Sequence, residues 1–173
     1  LADAAVIRAQ PELFGAVASD PTISRLIDTL GEDSAAVITA IRGARAAARA
    51  TVWGHRSPVP SADPVIIDLD ATLITAHSEE GATPNFKHGF GFHPLLAFVD
   101  HGDGGTGEPL VGMLRPGRAT ANTAADQIAV LDAALAQLPE PLRSRVLVRG
   151  DSGSGVQPLL WHVHDLGLAY SVG

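Results

Sequence analysis

The hydrophobic pattern of this chain changes at a proline-rich stretch, and that change limits the folds that the chain can adopt. Before the stretch, residues 21–53 carry apolar side chains at the spacing of amphipathic helices. After it, short β-branched runs alternate with helical segments. The stretch itself, residues 54–64, places three prolines among small polar residues, which is typical of a linker. We therefore predict a helical N-terminal segment with its linker over residues 1–60 and an α/β domain over residues 61–173.

The helical segment is predicted to contain two helices joined by a tight turn. Gly31 ends the first helical pattern, because glycine favours the backbone conformation that follows a helix. Asp33 or Ser34 is placed to cap the second helix, which continues through Thr51.

The α/β domain shows the predicted order strand, strand, strand, helix, strand, helix, strand. The strands are expected at residues 64–70, 94–100, 109–114, 145–149 and 168–172, and the helices at residues 119–138 and 156–166. Residues 76–92 are predicted to be irregular, residues 101–108 to form an antiparallel hairpin connection, and Thr120 or Asn122 to cap the first helix. This order predicts a mixed sheet in which the first and fourth strands lie side by side.

Composition excludes several kinds of site. The chain has no cysteine, which rules out disulfides, thiolate metal sites and a cysteine nucleophile, and makes hard cations the first candidates for any metal. The net charge is −7, with six basic against twelve acidic residues in residues 65–173, so no basic surface announces nucleic-acid binding. No apolar run approaches the ~18 to 20 residues of a membrane span, so we expect a soluble protein without a membrane partner.

Acidic residues stand at the ends of two predicted strands. Asp68 and Asp70 occupy the C-terminal half of the first strand and point to the same side of the sheet, because side chains alternate along a strand. Asp151 directly follows the fourth strand. Because the first and fourth strands are predicted to be neighbours, Asp70 and Asp151 could share divalent metal ions. An exposed position for Asp68 or Asp70 and a turn-capping role for Asp151 are the simpler alternatives.

Four short motifs occur in order along the α/β domain. They are VIIDLDATL at residues 65–73, NFKHGFGFHPL at 85–95, LRPGRA with NTAAD at 114–126, and VRGDSG at 148–153. Together they resemble bacterial insertion-sequence transposases with a DDE domain. The resemblance implies a ribonuclease H-like α/β fold in which two Asp and one Glu bind two Mg²⁺ ions, for which Mn²⁺ can substitute. Position by position, Asp70 matches the first acid and Asp151 the second, while Asp68 competes with Asp70 as a metal ligand.

The same resemblance implies partners and a location. DNA is the expected partner, as transposon ends and as target, and the active complex is expected to be a homo-oligomer in the bacterial cytoplasm at the nucleoid. Lys87, Arg115 and Arg118 are expected to contact phosphates, with solvated surface charge as the alternative. The family's third acid is expected beyond Gly173, so we expect residues 1–173 by themselves to be catalytically inactive. His93 is expected to be a hydrogen-bonded structural histidine.

Two other functions stay open at this point. Residues 66–73 also resemble the nucleophile strand of haloacid dehalogenase-like phosphatases, in which Asp68 would be the nucleophile and Asp70 the acid/base. Three features oppose that alternative. Gly155 stands where the phosphatase family has a second acid, and no lysine lies between the middle strands and Gly150. The strands after Asp70 also suggest a meander, whereas the phosphatase fold mostly alternates strand and helix. The other alternative is an inactive DNA-binding remnant, with residues 21–53 as a helix-turn-helix or an oligomerisation element.

Overall fold

The computed structural model describes residues 2–55, 63–78, 80–102 and 107–173, with side chains from residue 4 onward. The chain divides into two compact units, Leu1–Arg45 and Ala46–Gly173. Most of the predicted linker, residues 56–62, lies outside the described residues.

The first unit is helical. It contains α1 (Ala2–Arg8), α2 (Pro11–Phe14), α3 (Asp20–Gly31) and the first half of α4 (Ser34–His55). The helices α3 and α4 confirm the two predicted over residues 21–53, whereas α1 and α2 were not predicted. Asp33 caps α4, because its side chain accepts a hydrogen bond of 3.1 Å from the backbone N–H of Ala36. Arg8 ties α1 to α3 through a 2.6 Å contact with Asp20.

The second unit is built on a five-stranded mixed sheet. Its strands are β1 (Val65–Ala71), β5 (Leu95–Asp100), β6 (Glu108–Met113), β7 (Val146–Gly150) and β8 (Ala169–Val172), after β2 (Ile74–Thr75), β3 (Thr83–Pro84) and β4 (Phe90–Phe92) of a smaller sheet. The strand order is β6-β5-β1-β7-β8, with β5 antiparallel to β1 and β6, and β7 parallel to β1 and β8. The predicted ribonuclease H-like mixed sheet is therefore confirmed, including the first and fourth predicted strands as neighbours.

The smaller sheet corrects one prediction. Residues 76–92 were expected to be irregular, but they contain β3 and β4, which pair with β2 in the order β2-β4-β3. Gly91 makes this pairing possible, because its φ is 152° and a Cβ there would overlap the carbonyl oxygen of Ile74. Strands of two or three residues around a glycine carry no alternating apolar pattern, so they could not be predicted from periodicity.

Helices cover one face of the large sheet. They are α5 (Ala124–Leu135), the short α6 (Glu140–Arg143) and α7 (Gln157–Asp165). Leu131 of α5 and Val163 of α7 are fully buried in one cluster with Ile67 of β1 and Val148 of β7. Burial of such apolar surface is the main stabilising contribution to the unit.

The start of α5 differs from the prediction. The helix begins at Ala124 rather than near residue 119, and its N-cap residue is Thr123, without a side-chain capping bond. The predicted caps, Thr120 and Asn122, therefore lie before the helix. Arg115 explains the late start, because its Nη1 holds the carbonyl of Thr120 at 3.0 Å and keeps residues 119–123 in a loop.

The C-terminal part of α4 belongs to the second unit and is fixed by a buried arginine. Arg49 is only 4% exposed; its Nε donates to Oε1 of Glu108 at 2.5 Å and its Nη1 to the carbonyl of Gln137 at 3.1 Å. Trp53 donates to the other oxygen of Glu108 at 3.3 Å, and the His101 ring lies 3.2 Å from it. Partial burial raises the pKa of Glu108, but the hydrogen bond and charge of Arg49, with His101 and Trp53, outweigh it and lower the pKa below its ordinary 4.5.

The substitution Glu108→Gln is expected to destabilise the protein at neutral pH and to lose that effect in acid. Because the folded-state pKa lies below the unfolded value of 4.5, the ionised carboxylate contributes stability above that pH and loses it as the pH falls through the folded pKa. Urea unfolding of both proteins should therefore give free energies that differ at neutral pH and converge in acid. A difference that stays constant over this range would contradict the role given to the Glu108 charge.

Candidate active site

Two carboxylates stand at neighbouring strand ends in the large sheet. β1 and β7 are parallel, and Leu69 pairs with Gly150 at the end of their ladder. The next residues are Asp70 and Asp151, so their backbones are neighbours at roughly the 4.8 Å separation of paired strands. Both residues are exposed. The register thus brings together the two acids that the sequence singled out.

Asp70 and Asp68 differ in their side-chain partners. The side chain of Asp70 has no hydrogen-bond or ion-pair partner within the described ranges. Both oxygens of Asp68 accept hydrogen bonds from Arg149, at 2.5 Å from Nε and 2.8 Å from Nη2, in a bidentate pair. Nη2 of Arg149 also lies 2.7 Å from Asp100. Asp68 shares the exposed face of β1 with Asp70, as predicted from strand alternation, but both of its oxygens are already bound by Arg149.

Arg149 also stabilises the charged form of the second acid that it binds. The pKa of Asp100 is lowered from its ordinary value, first by the backbone N–H of Gly102 and next by the hydrogen bond from Arg149. The two acids in turn raise the pKa of Arg149, so the guanidinium stays charged. This cluster was not predicted from the sequence; the available signal was the pairing of Asp68 with Arg149, which follows from placing the first and fourth strands in register.

Asp151 is held in a tight turn. Its Oδ1 accepts a hydrogen bond of 2.9 Å from the backbone N–H of Gly153 and so caps the 3-10 helix Ser152–Ser154. The buried Ser154 lies so close to Gly150 that a Cβ at Gly150 would overlap it. Nε2 of Gln127, on α5, donates to the carbonyl of Gly153 at 2.9 Å. The predicted capping role is therefore present, and Oδ2 of Asp151 accepts no hydrogen bond from the part of the chain that is described.

The three basic residues proposed for phosphate contact differ in their surroundings. Lys87 and Arg118 are exposed. Arg115 is 4% exposed, and its guanidinium donates to the carbonyl of His93 at 3.0 Å, to that of Thr120 at 3.0 Å and to Asp126 at 3.1 Å. Arg115 thus joins the loops around the site from within, a position unsuited to the phosphate contact expected of it.

His93 is buried, as expected of a structural histidine. It is 3% exposed, and its Nδ1 lies 2.6 Å from the carbonyl oxygen of Ala119. Its backbone also joins the segment between β4 and β5 to the loop after β6, because its N–H donates to the carbonyl of Arg115 at 2.9 Å.

The carboxylate pair suits a hard cation only as a partial ligand set. No cluster of three or more His, Asp or Glu side chains able to hold a metal occurs among the described residues. Asp70 and the free oxygen of Asp151 are the donors that Mg²⁺ or Mn²⁺ accepts, and Mg²⁺ commonly takes one or two protein carboxylates with the remaining positions filled by water and substrate phosphate. The donor chemistry of the pair therefore fits such an ion.

Comparison with known proteins identifies the family. Residues 2–173 match the model of the transposase DDE domain group 1. The chain belongs to this family. Membership in the DDE domain family, together with the antiparallel pairing of β1 with β5, argues against the phosphatase alternative.

Other comparisons give less. No curated protein matches this DDE domain. Among solved structures, it is similar to a chain in the cryo-EM structure of the simian T-cell lymphotropic virus intasome in complex with the PP2A regulatory subunit B56 gamma, with 14% identity and a TM-score of 0.38. The similarity covers 64% of this chain and 32% of that one, so the DDE domain spans about a third of that chain. In the described part of the domain, no helix combines the length and apolar character needed to cross a bilayer.

Proposed function

We propose that this DDE domain supplies the catalytic centre of a DNA transposase that cleaves DNA strands and transfers them, a polynucleotidyl transferase reaction. Family membership supports the reaction class. The observation that carries the proposal is the pair Asp70 and Asp151, two exposed carboxylates on neighbouring parallel strand ends, of which Asp70 has no partner among the described residues. DNA, as element ends and as target, is the proposed substrate, and a homo-oligomer the proposed active form.

The carboxylate pair is proposed to hold divalent metal, Mg²⁺ or Mn²⁺. Two like charges on adjacent strands repel each other, and a cation between them removes that repulsion. When bound, the metal would polarise the phosphodiester and lower the pKa of the attacking hydroxyl or water. The domain's own residues orient the site: Asp70 and Asp151 offer oxygens at the sheet end, and the Gly153 N–H fixes the rotamer of Asp151.

Asp68 is proposed as a positioning residue rather than a metal ligand. Its bidentate pair with Arg149 joins β1 to β7 just before the two acids. That bridge holds β1 and β7 together next to Asp70 and Asp151. Lys87 and Arg118 remain the proposed phosphate contacts, because both side chains are exposed and neither forms an ion pair with the described residues.

Binding of Mn²⁺ to the chain tests the carboxylate pair directly. Because Mn²⁺ is paramagnetic, its addition to isotope-labelled protein is expected to broaden the amide NMR signals of residues 70–72 and 151–153 before all others. The variant Asp151→Asn should lose this selectivity, since one ligand charge is gone. The matched control Asp165→Asn, an exposed acid at the end of α7, should leave it unchanged. Broadening centred on Asp68 and Asp100 instead would refute the assignment.

A further inference from the structure

The turn between β3 and β4 carries an aromatic side chain that the proposed catalytic site does not use. Phe86 is 70% exposed at this turn. An exposed aromatic ring is not by itself a binding site, because folded proteins expose much apolar surface. Three further properties of the turn, its rigidity, its charge and its location, point to a ligand.

The turn is rigid. The side-chain oxygen of Asn85 accepts hydrogen bonds of 3.0 Å from the backbone N–H groups of Lys87 and Gly89. The backbone N–H of Asn85 donates to the carbonyl of Gly89 at 2.9 Å. His88 adopts a φ of 61°, an unfavourable region for a residue with a side chain. The turn therefore holds Phe86 in place before a ligand arrives, which lowers the entropy lost on binding.

The surroundings of the turn are basic in an acidic protein. We call residues 81–93 and 114–122 the basic lobe; they contain no acid and three basic residues, of which Arg115 is buried and paired with Asp126 while Lys87 and Arg118 are exposed, in a chain whose net charge is −7. The two segments are joined by hydrogen bonds from Gly117 N–H to the carbonyl of Gly91 at 3.0 Å and from Arg118 N–H to the hydroxyl of Thr83 at 2.9 Å. The Lys87 ammonium lies 5.7 Å from the centre of the Phe86 ring.

The basic lobe borders the carboxylate pair. The Phe86 ring centre lies 6.1 Å from that of His93, just before β5. There the carbonyl of Pro94 accepts a hydrogen bond of 3.2 Å from Thr72, two residues beyond Asp70. On the other side, Gln127 bonds the carbonyl of Ala121 in the lobe at 2.8 Å and that of Gly153 in the Asp151 turn at 2.9 Å.

We propose that Phe86 stacks on an unpaired DNA base beside the strand that is cut, with Lys87 and Arg118 on the flanking phosphates. An aromatic ring next to cations is the arrangement that binds single-stranded nucleic acid, because every base offers a face for stacking and every linkage a negative charge. A base within a duplex offers no free face, so the ligand is an overhang or an opened DNA end. The inference rests on the proposed function and names the state of the DNA that the site accepts.

Binding to two DNA molecules tests this inference. We compare a labelled duplex that has a single-stranded overhang with a blunt duplex of equal length, without divalent ions. Phe86→Ala is expected to weaken binding to the overhang DNA by about tenfold or more, the usual contribution of one stacked base, and to leave blunt-duplex binding unchanged. Phe86→Trp should retain the preference, and the matched control Trp161→Ala, which removes an aromatic side chain that is 59% exposed on α7, should have no effect.

Photochemical crosslinking supplies a second readout. An iodouracil at the unpaired position should crosslink to Phe86 and to the tryptophan of Phe86→Trp, because the reaction favours stacked aromatic rings. Equal loss of binding to both DNA molecules, no loss, or crosslinks only at other residues would each overturn the proposal. So would a changed oligomeric state of Phe86→Ala with unaltered DNA affinity, which would make the turn a protein interface. Because these measurements contain no metal, their failure is distinct from a failure of the Mn²⁺ test of Asp70 and Asp151.

Discussion

Asp70→Asn and Asp151→Asn are each expected to lower DNA strand cleavage by the proposed transposase by about a thousandfold. Each substitution keeps the shape of the side chain and removes one of two adjacent charges at the sheet end. A divalent ion contributes several kcal/mol to such a transition state, and each 1.4 kcal/mol corresponds to about a tenfold change in rate. Nicking of labelled DNA that carries the ends of the element, under single-turnover conditions, measures the effect.

Asp68→Asn distinguishes the role of Asp68 from that of Asp70 on the same strand. The Asp68 oxygens are occupied by Arg149, so this substitution should weaken the bridge between β1 and β7 and reduce cleavage far less than Asp70→Asn does. Asp165→Asn serves as the matched control at an exposed acid away from the strand ends. A severe loss in Asp68→Asn combined with a mild loss in Asp70→Asn would reverse the assignment of the first acid. Thermal unfolding of each variant checks that the fold is intact.

Arg115→Met is expected to destabilise the protein by about 3 kcal/mol, because it removes the buried partner of three hydrogen bonds and of a partly buried ion pair. The carbonyls of His93 and Thr120 and the carboxylate of Asp126 would lose their donor, while methionine keeps the aliphatic part of the side chain. Urea unfolding measures the change.

Arg118→Met is the matched comparison for Arg115→Met. Its side chain is exposed, so stability should hardly change, while DNA affinity should fall and the slope of its logarithm against that of salt concentration should decrease by about one. If Arg115→Met instead preserved stability and produced the salt effect, Arg115 would be the phosphate contact that the sequence first predicted.

The large sheet was predictable from sequence because its strands coincide with short apolar runs. β1 and β7 are short β-branched segments with buried alternate residues, and placing them as neighbours followed from the order of elements. Asp70, near the end of β1, and Asp151, directly after β7, could be paired for the same reason. The smaller sheet could not be predicted, because its pairing depends on the absence of a side chain at Gly91 rather than on a repeating pattern.

Side-chain partners explain what the sequence left open at the site. Arg115 and Arg118 stand three residues apart in the same motif, yet one is buried and the other exposed, because the carbonyls of His93 and Thr120 and the carboxylate of Asp126 converge on Arg115 alone. Asp68 and Asp70 likewise differ through Arg149, which is far away in sequence. Residue type and local spacing are the same for both members of each pair, so tertiary contacts alone distinguish them.

His93 and Arg115 exchange hydrogen bonds in both directions, from the His93 N–H to the Arg115 carbonyl at 2.9 Å and from the Arg115 Nε to the His93 carbonyl at 3.0 Å. This double link joins the segment between β4 and β5 to the loop after β6, and so holds the two segments of the basic lobe together. A rigid basic lobe does not change shape to match the curvature of a bound DNA duplex. Any mismatch between a straight duplex and the site must therefore be absorbed by the nucleic acid, so sequences that bend or open easily should be preferred even where no side chain reads their bases.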